Sequence, residues 1–74
     1  MIAEIRQHLA ACPFEPFLIM TSGGSQYRVP SAEHAGISPR GNRVVVWFDN
    51  GGSVTVSALH IVAVEKEAPV KPSQ

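Results

Sequence analysis

Three histidines, one cysteine and a few serines and arginines are the side chains with chemistry to offer in this 74-residue sequence. A zinc site needs convergent nitrogen and sulfur ligands, usually at a paired spacing such as Cys-x-x-Cys or His-x-x-x-His. His8, His34 and His60 have no partner at such a spacing. His8 and Cys12 stand at i and i+4, but two ligands do not make a site, so no metal and no cofactor is expected. Nucleophilic catalysis would pair Cys12 or a serine with a histidine. Cys12 falls on an apolar helical stripe just before Pro13, where it reads as a small buried hydrophobe shielded from substrate. Ser31 and His34 lie three apart in a turn, with only Glu33 beside them to orient the imidazole. Ser31 therefore reads as a cap, no catalytic residue is assigned, and the chain is not expected to be an enzyme. Gly23-Gly24 and Gly51-Gly52 each join strand to strand, whereas a phosphate cradle leads from a strand into a helix N-terminus. Both are hairpin turns.

Arg28, Arg40 and Arg43, with Asn42 and Trp47 nearby, would form a patch if they gathered at one sheet edge. Arginine beside an aromatic platform is what single-stranded RNA binding uses. Against this, six basic and six acidic side chains cancel and the pI is 6.8, while a domain gripping phosphates carries a basic excess. The Asp49-Asn50 and Arg40-Gly41 pairs also run in the opposite order from the Asp-Asn loop and late Arg-Gly of Sm-like RNA binders. Weak RNA or DNA binding is the second reading. The run Val44-Val45-Val46-Trp47-Phe48 is more informative, because it is apolar on both strand faces. Val44, Val46 and Phe48 are expected in the core, leaving Val45 and Trp47 to be covered by the helix or by another subunit. Tryptophan is over-represented at binding hot spots. The first reading is therefore a non-enzymatic interaction module that self-associates, or docks on a protein, through Val45 and Trp47.

The elements that must position these residues follow from period and turn chemistry. Ile2, Ile5, Leu9 and Cys12 recur as one helical stripe, which predicts a helix over about residues 1–12, stopped by Pro13. Strands are expected at Phe17–Thr21 and Gln26–Val29 about a glycine hairpin, with Tyr27 and Val29 on one face. Ser31 caps a single turn through His34, and Ile37-Ser38 make a short edge strand. Arg43–Phe48 and Ser53–Ser57 follow, then a corner at Ala58-Leu59-His60 and a last strand at Ile61–Glu65. Residues 67–74 cannot bury enough to order themselves and are expected to be a disordered tail.

The expected architecture is one mainly β (α+β) domain over residues 1–66. It would be a small SH3-like or Sm-like antiparallel barrel of five to six strands with an N-terminal helix. The alternative is a bent open antiparallel sheet with the helix packed on it. Pro13-Phe14-Glu15-Pro16-Phe17, Ile19, Tyr27-Arg28-Val29 and Leu59-His60-Ile61 with Val64-Glu65 resemble a group of short uncharacterised bacterial proteins. These share a Pro-Phe-x-Pro-Phe opening and a Leu-x-His-Ile exit around a β-rich middle. In that group a His-Pro-Glu segment often follows the second strand, where this chain has Pro30-Ser31-Ala32-Glu33-His34. The resemblance implies a fold and carries no established activity. A single cysteine fits a reducing compartment. No apolar run approaches the roughly 20 residues of a membrane span, and the N-terminus lacks an export h-region. A cytoplasmic protein without a membrane partner is expected.

Overall fold

The computed structural model describes residues 2–67. Helix α1 (Ile2–Ala10) is followed by strands β1 (Phe17–Thr21), β2 (Gln26–Val29), β3 (Ala35–Ile37), β4 (Arg43–Trp47), β5 (Ser53–Ser57) and β6 (Ile61–Lys66). The protein is thus mainly β with one N-terminal helix. A helix of nine residues is too short to stand alone in water. It is held by Ile5, which is fully buried, with Ile2 and Leu9 packed at the margin of the same core. His8 also faces inward, its ring stacked 4.8 Å from that of Phe17. The helix stops short of Cys12, which is exposed rather than part of the apolar stripe. The break comes early because Pro13 disfavours helical backbone at the residue before it.

The strands form two three-stranded antiparallel sheets, in the orders β2-β1-β6 and β3-β4-β5. The second is a simple meander inserted between β2 and β6 of the first. The sheets are not closed into a barrel: among the described residues no strand of one pairs with a strand of the other. The reason lies at the two crossings between them, where the chain leaves extended backbone for one turn of 3-10 helix, at Ala32–His34 and at Ala58–His60. Both corners read Ser-Ala-x-His, and in each the serine side chain (Ser31, Ser57) accepts from the backbone N–H two residues on. A serine cap satisfies a donor that the ladder no longer uses.

Alternation places Phe17, Ile19, Val29 and Ile61 of one sheet against Ala35, Val44, Val46 and Val56 of the other, with Ile5 at the end. Two inner faces around one core is the minimum arrangement by which small sheets hide their apolar sides. In β6 the register slips by one residue between Met20↔Ala63 and Thr21↔Ile61. Val62 is the extra residue of a bulge and points outward, 53% exposed. The tight turns use glycine where the backbone demands it: Gly24 and Gly51 have φ of +87° and +93°. Glu67, counted with the tail in the sequence reading, continues the β6 edge by donating its N–H to Pro16 at 2.9 Å. The remainder of the expected tail, 68–74, lies outside the described residues. Among the described residues no helix is long and apolar enough to cross a membrane.

Candidate functional site

Strand β4 decides which apolar residues are hidden. Val44 and Val46 are fully buried, so Arg43, Val45 and Trp47 point to the opposite side of the sheet. Val45 pairs with Gly36 of β3 and Thr55 of β5, and Trp47 pairs with Ser53. The Trp47 indole leans diagonally onto β3: its Cη2 lies 3.1 Å from where a Cβ on Gly36 would sit. Glycine at position 36 thus makes room for the ring. Helix α1 does not cover this face, because Ile5 packs into the core beside Val44 and Val46. Trp47 remains 45% exposed. Phe48, expected in the core, is 38% exposed instead. β4 ends at Trp47, and the turn closed by Phe48 N–H on Gly52 O at 2.8 Å swings Phe48 out of the alternation. Its ring lies 6.4 Å from that of Tyr27.

Beside Trp47 opens a shallow cleft of about 160 Å³ lined by Arg28, Pro30, His34, Trp47, Phe48 and Asp49. Pockets for whole small molecules run to roughly 300–1,000 Å³, so this one has room for a single side chain. One wall is a chain of hydrogen bonds. Ser31 Oγ lies 2.7 Å from His34 Nδ1, and His34 Nε2 lies 2.7 Å from Asp49 Oδ1. An ionised carboxylate only accepts, so Nε2 carries the proton toward Asp49. With the imidazole neutral, Nδ1 accepts from the Ser31 hydroxyl, which itself accepts from Glu33 N–H at 3.3 Å. Asp49 is the orienting carboxylate that the sequence reading lacked. It lies 15 residues from His34 and is brought back by the antiparallel pairing of β3 with β4.

Serine, histidine and aspartate in series are also the parts of a nucleophilic triad, in which serine attacks, histidine takes its proton and a buried aspartate orients the ring. Here the Asp49 side chain is 88% exposed. Ser31 is absent from the cleft lining and already serves as the cap of Ala32–His34. What the chain of bonds does chemically is fasten the 3-10 corner to the β4–β5 turn, which fixes the cleft wall next to Trp47. The second copy of the Ser-Ala-x-His corner has its serine cap, while His60 is exposed.

The three arginines divide. Arg40 and Arg43 line one groove with Ser38, Pro39 and Asn42, at the opposite end of β4 from Trp47. Arg28 lies at the Trp47 end, where its Nε donates to both Glu67 carboxylate oxygens at 3.0 and 2.8 Å. That hydrogen bond raises the Arg28 pKa further and lowers that of the Glu67 carboxyl below its ordinary 4.5. Among the described residues no three His, Cys, Asp or Glu side chains converge to hold a metal ion. No protein-family model, curated protein or solved structure matches this chain.

Proposed function

We propose that this protein is a small, non-enzymatic protein-interaction module whose contact surface is the outer face of β3-β4-β5, centred on Val45 and Trp47. One observation carries the reading: a tryptophan stands 45% exposed on the side of the sheet away from both the core and the helix. A large aromatic beside glycine, threonine and serine offers apolar area with little steric obstruction, and tryptophan is among the residue types enriched at binding hot spots. Two three-stranded sheets joined by one-turn corners are in keeping with a small SH3-like or Sm-like module. The lone cysteine keeps the cytoplasm as the proposed compartment.

The test is absolute mass by size exclusion with light scattering, on concentrated protein, with absorbance read at 260 and 280 nm. Wild type is expected to run above monomer mass and Trp47→Ala to lose that excess with an unchanged far-UV spectrum. An assembly that survives Trp47→Ala refutes this face. A 260 nm excess abolished by Arg40→Ala with Arg43→Ala would transfer the function to nucleic acid.

A further inference from the structure

We propose that the occupant of this face is a second copy of the same chain, docked across a two-fold axis that lies between the two sheets and crosses the strands above Val45. The proposal rests on the interaction reading above and gives it a partner and a register.

Arg43, Val45 and Trp47 succeed one another on one face of β4, about 6.6 Å apart at the usual strand rise. Asp49 follows just past the strand end. The strip is therefore dipolar: a guanidinium at one end, a valine midway, and at the other an indole with Asp49, where the neighbouring Arg28 is already paired with Glu67 and so leaves the Asp49 charge uncancelled. Both charged ends have capacity to spare. The Arg43 side chain makes no hydrogen bond or ion pair among the described residues. Asp49 engages His34 through Oδ1 and remains 88% exposed. The His34 contact also holds that carboxylate in place before any partner arrives, which lowers the ordering cost of using it.

Two like sheets can meet face to face about a two-fold axis running along the strands or across them. Along the strands, Arg43 would sit on Arg43 of the other copy and Asp49 on Asp49. Across the strands, Arg43 of each copy lies over Trp47 of the other, with its guanidinium within reach of the free Asp49 oxygen. Charge selects the second arrangement, which is isologous and closes on itself. At the axis Val45 meets Val45, with Thr55 on one flank and the Trp47 indole, lying over Gly36, on the other, so the two rings share the usual sheet spacing of about 10 Å. Zero formal net charge leaves no overall repulsion between copies.

Area sets the strength. Three strands, one of three residues and two of five, make a footprint of at most roughly 14 by 17 Å, well below the ~800 Å² per partner of a standard interface. The dimer is accordingly a weak one that forms with rising concentration.

The test is sedimentation velocity on the full chain over a wide concentration series, with reductant present and far-UV spectra as the folding control. Wild type is expected to show a reversible monomer–dimer equilibrium. Arg43→Glu and Asp49→Arg should each weaken it by about tenfold or more, since each sets two like-charge pairs against each other. An equimolar mixture of the two variants should regain dimer, because the mixed pair restores both attractive contacts. Failure of the mixture to recover dimer overturns the two-fold register. If Trp47→Ala abolishes the dimer while both charge variants keep it, the face stands and the register falls. If wild type stays monomeric throughout, the second copy is overturned and the face is left for a different protein. Asp49→Asn, which keeps an acceptor for His34, separates loss of charge from loss of that contact; it should weaken the dimer less than Asp49→Arg, and an equal loss overturns the charge assignment.

Discussion

Everything assigned to the outer face depends on which side of β4 is hidden, and two adjacent valines test it. Val46 is fully buried; Val45, next to it, is only partly covered. Val46→Ala removes two buried carbons, about 1.6 kcal/mol at ~0.8 kcal/mol each. If some 40 Å³ of the space stays empty, the cavity adds about 1 kcal/mol at ~24 cal/mol per Å³. The total, about 2.5 kcal/mol, is large beside the roughly 3–10 kcal/mol a domain of this length possesses. Thermal midpoints should fall by about 10–20 °C. Val45→Ala leaves no enclosed cavity and forfeits only part of the transfer energy, so its cost should stay below about 0.8 kcal/mol. Urea titration of dilute protein, followed by far-UV circular dichroism, gives both numbers from midpoints at a common slope. Equal costs for the two variants would refute the face assignment. So would a larger cost at Val45.

Three further outcomes test neighbouring features. Gly36→Val places side-chain atoms where the Trp47 ring now lies, so the ring should be displaced into solvent and its emission should shift to the red while the far-UV spectrum stays native; unchanged emission would place the ring elsewhere. The Arg28 hydrogen bond holds the Glu67 carboxyl below its ordinary 4.5, so the contact's contribution is complete above that value and is lost as pH falls through the lowered one. A side-chain NMR titration of Glu67 should therefore move up to the ordinary midpoint in Arg28→Ala, and an unmoved midpoint would show that the pair does not form in solution. Cys12 is exposed, so a thiol reagent should modify it in the native protein without urea; protection until unfolding would restore the buried stripe.

Local chemistry made most of the elements legible. The helix start, the Ser22–Ser25 hairpin, the Ser31 cap and the alternation of Val54 and Val56 all follow from neighbours within a few residues. What escaped was decided at longer range. Nothing near Phe48 reveals that β4 stops one residue earlier; that is set by its pairing with β5, which ends at Trp47↔Ser53. The Asp49–His34 contact could not be read from spacing, because the antiparallel pairing of β3 with β4, Ala35 opposite Val46, brings the two strand ends together. The repeated Ser-Ala-x-His was the available signal for the two corners that keep the sheets apart. The arginines failed to gather because Arg28 belongs to one sheet and Arg43 to the other.

Two packed sheets have two outer faces, and the chain treats them differently. On the outer side of β2-β1-β6, Leu18 pairs with Arg28 on one flank and Glu65 on the other, and Met20 pairs with Gln26. Long side chains of this kind lay their methylene stems over apolar neighbours and keep their polar heads in water. Leu18 and Met20 are accordingly only partly exposed. On the outer side of β3-β4-β5, the strand-paired neighbours of Val45 and Trp47 are Gly36, Thr55 and Ser53, all too short to reach across a tryptophan, and the longer Arg28, His34 and Phe48 line only the cleft at one edge of the ring. Helix α1 is already committed to the core through Ile5 and does not cover them. A small domain gains little by leaving an indole in water when one lysine or glutamate on β5 would shield it. Short neighbours around a large aromatic do, however, leave a level surface on which another sheet can rest, and that asymmetry favours a contact at Trp47 rather than at Leu18.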